Sequence, residues 1–310
     1  MQLYVGVTDH DWFQYLAAAG PDEVNFWQPG GSQGFRALSP GEPFLFKLKA
    51  PHNAIAGGGF FIRYTALPLT VAWSTFGVKN GAPDFETFAA TIRGYRSDDA
   101  PNPTIGCVIL TRPFFFAPEN WVPVPENWHP NIVQGKTYDM QRGVGARLWQ
   151  QVQDRLQAQI AQAERPSEAP VVAEELARYG AEYVAQYRLG QGSFRALVTD
   201  AYDRRCAFTG EKTLPALQAS HIKPYAQSGP HRVSNGLLLR ADLHQLFDRG
   251  YLTITSDHHI EVSRRIQTEF DNGDAYLALH GRRLQAVPDA PGDRPSPDFI
   301  AYHQDRVFAP

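Results

Sequence analysis

The apolar positions change rhythm twice along the chain. Up to about residue 140 they come in short runs, at Leu3–Val7, Phe44–Leu48, Gly59–Tyr64, Leu69–Trp73 and Ile105–Leu110, separated by Gly and Pro. Short strands between turn residues predict a compact β-barrel with a few helices. Two helices are legible within it: Trp12–Ala19, stopped by Gly20-Pro21, and Phe85–Tyr95, with Asp84 as N-cap. After Tyr138 the spacing lengthens to four. Val144, Leu148, Val152, Leu156 and Ile160 mark a helix over Gln141–Gln162. Arg165–Pro170 breaks it, and a second helix is expected at Val171–Tyr187. From Gly190 the pattern mixes both periods. Phe194, Leu197, Val198, Ala201 and Tyr202 make a helical face. Leu217–Ile222 and Gly236–Leu239 read as strands, Asp242–Phe247 as a helix closed by Gly250, and Tyr251–Thr255 with His259–Ser263 as a hairpin. The expected class is α+β, with a β-barrel domain at 1–140, a helical connector at 141–188 and a second domain at 189–310.

Composition narrows this little. The 310 residues suffice for two cores, and the net charge of -3 excludes a uniformly basic surface without excluding a local one. From residue 189 onward Lys plus Arg number fourteen and Asp plus Glu fourteen, so charge alone does not point to DNA. Cys107 and Cys206 form neither a disulfide framework nor a CxxC pair, so no structural zinc is expected. No run approaches the ~18 apolar residues of a membrane span, and the N-terminus lacks a secretion signal. The expectation is a cytoplasmic protein with no membrane partner.

Seven of the ten histidines lie in the last third, and three of them matter by position. The segment SHIKPYAQSGPHRVSNGLLLRADLHQLFDRG carries His221, Asn235 and His244, with thirteen and eight residues between them. Strand, loop, strand, helix is an order that can bring two imidazoles to one cation-sized gap. Phosphodiester hydrolysis needs an activated water and stabilisation of the leaving oxygen. A neutral histidine suits the base role, assigned to His221. Asn235 is expected either to orient that ring or to help hold a metal, and His244 to ligate it. Phosphate and water as co-ligands favour one Mg²⁺ or Mn²⁺. Lys223, Arg232 and Arg240 are candidate DNA-phosphate contacts. His231 in the crossover loop reads as solvent-exposed, and Cys206 as core.

RRCAFTG, ASHIKPY and SNGLLLRADLHQLFDRG resemble the HNH endonucleases, in particular those of bacterial modification-dependent restriction enzymes. The resemblance spans roughly residues 190–285. It implies a ββα-metal finger in which His221 is the general base, Asn235 the middle asparagine and His244 the metal ligand. Ser220 departs from the pattern, since many members carry a metal-binding acid or histidine there.

The layout of the first 135 residues resembles PUA-like folds, the group of EVE, ASCH and SRA modules, which implies a pocket for a modified base. A flipped base needs aromatic faces and polar groups that read its edge. Phe26 and Trp27 between Asn25 and Gln28 offer both, as do Trp73 and Phe76. Gly57–Gly59 would let backbone approach a ligand, but no Gly-Lys-Ser/Thr follows, so no nucleotide cofactor is expected. The reading that joins these parts is an endonuclease acting on modified double-stranded DNA, as a homodimer. The alternatives are an HNH nuclease directed to a backbone modification, a DNA structure or RNA, and a binding protein with a degenerate HNH scaffold.

Overall fold

A computed structural model describes residues 1–31, 34–162 and 190–310. Two compact units are present, one on each side of the interval between Gln162 and Gly190. The helix expected at 171–187 lies outside the described residues.

The first unit comprises β1 (Gln2–Thr8), α1 (His10–Ala19), β2 (Glu23–Gln28), β3 (Pro43–Leu48), β4 (Ala54–Pro68), α2 (Leu69–Phe76), α3 (Phe85–Gly94), β5 (Thr104–Phe115), β6 (Val122–Pro123), β7 (Gly135–Asp139) and α4 (Gly143–Gln162). The strand path runs β2-β5-β4-β3-β1-β7, with β6 on β4. β1 and β3 are parallel and the other pairs antiparallel. Among the described residues the path does not close, so the sheet is open where a barrel was expected. Cover on both faces takes the place of closure. Phe44 and Phe46 of β3 pack with Trp12, Phe13 and Leu16 of α1 on one face. Leu45 points the other way, into a cluster with Leu148, Trp149, Val152 and Leu156 of α4. All six residues of β3 are therefore buried, which is why its sequence lacks the alternation of a half-exposed strand. The apolar stripe read as the start of a connector is thus used within the first unit.

Two local expectations change. Leu69–Trp73 is the start of helix α2, because a short apolar run cannot by itself distinguish strand from helix. Pro68 precedes it, and Leu69, Val71, Ala72 and Phe76 are buried. Gly57 and Gly58 lie inside β4, where any Cβ would meet neighbouring strands. At Gly58 it would lie 2.6 Å from the Phe114 ring and 2.7 Å from the Phe44 carbonyl. These glycines serve close strand packing, not access for a ligand.

The second unit comprises α5 (Gln191–Ala201), β8 (Leu217–His221), β9 (Gly236–Arg240), α6 (Ala241–Asp248), β10 (Leu252–Ile254), β11 (Ile260–Val262), α7 (Arg265–Phe270), α8 (Asp274–Leu277) and α9 (Pro297–Arg306). β8 and β9 pair antiparallel, with His221 opposite Gly236. One core joins Phe194, Val198 and Tyr202 of α5 to Leu237–Leu239, Leu243, Phe247 and Ile300, with Cys206 inside it. Gly236 permits the close approach of α5: a Cβ there would lie 2.5 Å from Val198 and 3.1 Å from the Phe194 ring. Among the described residues no helix is long and apolar enough to cross a membrane.

α9 is anchored by a buried histidine. His303 stacks on Phe247 at 3.8 Å. Its Nε2 lies 3.2 Å from the Phe247 carbonyl and its Nδ1 2.9 Å from the Thr253 hydroxyl. The neutral ring protonated at Nε2 satisfies both partners. Burial pushes its pKa down to about 4, below the ~6.5 of the unfolded chain. Between these values the unfolded state binds more protons. The stabilisation is therefore complete above pH 6.5 and disappears as pH falls towards 4, a loss on the order of 3 kcal/mol. Denaturant unfolding at a series of pH values should show this decline, and His303→Gln should flatten it.

Candidate active site

β8 ends at His221, and stacking fixes its ring. Phe194 lies face to face with it at 4.0 Å and 13°. Its Nε2 is 2.9 Å from Nδ1 of His231. Among the described residues its Nδ1 makes no hydrogen bond. Burial, then the neighbouring His231, pushes the His221 pKa down to about 4, with Asp248 opposing. The ring is therefore neutral and able to accept a proton at pH 7.

Asn235 precedes β9 and is fully buried. Its Oδ1 accepts from the Lys223 amide at 2.8 Å, and its Nδ2 donates to the carbonyls of Lys223 and Pro230, both at 3.0 Å. Its amide is committed to the backbone at both ends of the crossover loop. These bonds bring it neither to the His221 ring nor to a cation.

On α6, His244 Nδ1 lies 2.7 Å from Gln218 Oε1, and Nε2 lies 3.1 Å from Asp248 Oδ2. Since Gln218 Oε1 accepts, Nδ1 carries the proton of the neutral ring, and Nε2 presents a lone pair to a carboxylate oxygen. Two acceptors face each other there, an arrangement that a proton or a metal cation would satisfy. Ser220 Oγ, itself buried, donates to the other Asp248 oxygen at 3.3 Å and so helps fix the orientation of that carboxylate. Among the described residues no three His, Cys, Asp or Glu side chains form a metal cage. A two-donor set suits a cation that keeps waters and takes substrate phosphate. His221, His244 and Asp248 line one cleft of about 550 Å³ with Phe194, Arg195 and Tyr225.

The expected phosphate contacts lie off that cleft's lining. Lys223 sits over the Tyr302 ring at 4.8 Å, Arg232 is exposed, and Arg240 pairs with Asp242 through two bonds of 3.0 and 2.6 Å. Arg195 of α5 is the cation in the lining. In the first unit, Phe26, Trp27 and Gln28 line a cavity of about 610 Å³ with Asp9, Arg36, Lys49 and Tyr95. Asn25, Trp73 and Phe76 lie elsewhere. Asn25 is buried against Asn80, Trp73 packs on Phe88, and Phe76 is core. Lys49 and Asp9 form an ion pair at 2.6 Å, and the Tyr95 hydroxyl donates to Asp9 at 2.6 Å.

Sequence reasoning missed Asp248, His231 and Arg195. Asp248 had a signal, because His244 and Asp248 stand four apart on one helix and must share a face. His231 had none, since its burial depends on how the loop folds back. Arg195 lies on a helix whose orientation comes from the packing of Phe194, Val198 and Tyr202, a tertiary property that the sequence does not display.

Residues 206–255 match the model of a family described as HNH endonuclease. This segment is an HNH endonuclease domain, and the protein is a nuclease by virtue of it. No curated protein matches the sequence. Among solved structures the chain is similar to the ASCH protein of Zymomonas mobilis, at 9% identity over 48% of this chain and 94% of that one, with a TM-score of 0.33. It is also similar to the modification-dependent TagI restriction endonuclease, at 15% identity over 92% and 75% of the two chains, with a TM-score of 0.27. A third is the type IV phosphorothioation-dependent restriction endonuclease ScoMcrA, at 11% identity over 73% and 48%, with a TM-score of 0.19. At these values the likenesses fix neither fold nor function.

Asn235→Ala leaves one amide and two carbonyls of the crossover loop without their partner. It should lower stability by about 3 kcal/mol and abolish cleavage, as read from thermal unfolding and a nicking assay on the full chain.

Proposed function

We propose that the protein is a modification-dependent DNA endonuclease, with a PUA-like first unit that admits a flipped, modified base and a ββα-metal second unit that cuts. The observation that carries this reading is one chain holding two separate sites of different character. One is the cleft of His221, His244 and Asp248. The other is a cavity walled by Trp27, Tyr95 and Phe26 with a polar rim of Gln28, Asp9 and Lys49. Its volume falls in the range of small-ligand pockets, and aromatic walls with convergent polar groups suit a nucleobase. The Tyr95 phenol stays protonated, since burial and the Asp9 carboxylate push its pKa up.

In the cleft, His221 takes a proton from water at Nδ1. The water oxygen bonds to phosphorus, and the bond to the 3′ oxygen breaks. His244 and Asp248 would hold one Mg²⁺ or Mn²⁺, which when bound supplies Lewis-acid stabilisation of the phosphate charge. Arg195 holds the substrate phosphate in the cleft. Cutting both strands requires two encounters or a homodimer, and we propose the latter.

Purified protein with Mn²⁺ should cleave duplexes carrying modified bases and spare unmodified ones. Failure on every modified base, with cleavage of phosphate-modified, branched or RNA substrates, would redirect the reading to those targets. His221→Ala should bind DNA with unchanged affinity and not cut, and retained cleavage would remove it from the base role. Trp27→Ala should lower affinity for modified duplex by about 10-fold, a loss of ~1–3 kcal/mol of stacking, while leaving binding to unmodified duplex unchanged in a competition titration.

A further inference from the structure

We infer that His231 is a positioning residue that selects the working tautomer of His221, and that Asn235 acts on His221 through it. The inference rests on the reading of His221 as general base.

His221 Nε2 and His231 Nδ1 stand 2.9 Å apart, so one nitrogen of that pair carries the shared proton. If it belongs to His231, neutral His221 must hold its proton on Nδ1, and no lone pair is left for water. If it belongs to His221, Nδ1 is free to act. Only the second arrangement is productive, and it requires His231 to accept at Nδ1. The ring of a histidine is oriented and its tautomer set by what its second nitrogen meets. Here that partner is another imidazole, where a carboxylate or carbonyl is more familiar.

His231 is held for this task. It is 9% exposed, although it lies in a loop. Its ring stacks on Tyr225 at 4.4 Å and 20° and stands 5.4 Å from Phe194, the residue beneath His221. The residue before it, Pro230, has its carbonyl bound by Asn235 Nδ2 at 3.0 Å. The chain of contact runs from the Asn235 amide to Pro230, from there to His231, and across to His221. Once His221 has taken a proton, its Nε2–H bond to His231 becomes charge-assisted and stronger.

Two measurements on the whole chain test this. In ¹⁵N-histidine-labelled protein near pH 7, the ring nitrogens of His221, assigned by loss of signal in His221→Ala, should report a single tautomer protonated at Nε2. His231→Ala should turn it into a mixture. A His221 protonated at Nδ1 in the wild-type chain, or one unaffected by His231→Ala, overturns the inference. The second measurement is cleavage with Mn²⁺. His231→Ala should reduce kcat by roughly 100-fold with DNA affinity unchanged. His231→Asn places an acceptor where Nδ1 stood and should recover most of the loss, whereas His231→Gln, whose polar atoms reach the Nε2 position, should not. Asn behaving no better than Gln overturns the inference. Cleavage retained by His221→Ala would instead overturn the general-base reading and leave the tautomer result standing.

Discussion

The second unit depends on one buried amide satisfying three backbone groups. The loop from Ile222 to Ser234 must leave β8, cross over and return to β9 carrying polar backbone into a desolvated place. Buried amides and carbonyls are costly when unpaired. Asn235 meets this demand at both ends of the loop, at Lys223 and at Pro230. No other side chain combines an acceptor and two donors in so short a reach. An aspartate would set charge against two carbonyls. The requirement is thus for an asparagine as a clamp, and its value to the chemistry lies in what the clamped loop delivers.

The two halves of the cleft are tuned in opposite directions. His221 is withdrawn from water, stacked on Phe194 and kept neutral by burial. The pair of His244 and Asp248 remains open, with side chains 22% and 55% exposed. Proton acceptance needs a ring that does not charge prematurely, and cation binding needs donors that can exchange water. On the proposed reading, the second unit meets both demands by placing the base at the end of β8 against Phe194 and the donors on α6.

Much of the cleft was legible from residue order. The spacing of His221, Asn235 and His244 pointed to a strand, a loop, a strand and a helix, and those elements are present. What could not be read was which groups meet across the loop. His231 looked exposed because loop burial is a tertiary property with no periodic signature. The role expected of Asn235 also shifted, since its side chain serves backbone that sequence spacing cannot locate. In the first unit the strands were visible but closure was not. A buried run such as Phe44–Leu48 fits a barrel interior and a doubly covered sheet equally well, and only the packing of α4 decides. Trp73 and Trp27 had similar neighbours in sequence. Both rings touch Phe88, but Trp73 does so from α2 and Trp27 from a strand beside a cavity.

Trp27 is not merely placed beside that cavity. Its indole N–H donates to the Asn80 carbonyl at 2.9 Å, the same oxygen that receives Trp12 at 3.0 Å, and Asn80 is in turn held by Asn25. The wall of the cavity is therefore immobilised when the domain folds. On the proposed reading, a flipped base would stack on an indole already held in place, so little rotamer entropy is lost there on binding. On that reading any adjustment to the guest falls to the more exposed Tyr95 and Lys49 beside the fixed indole.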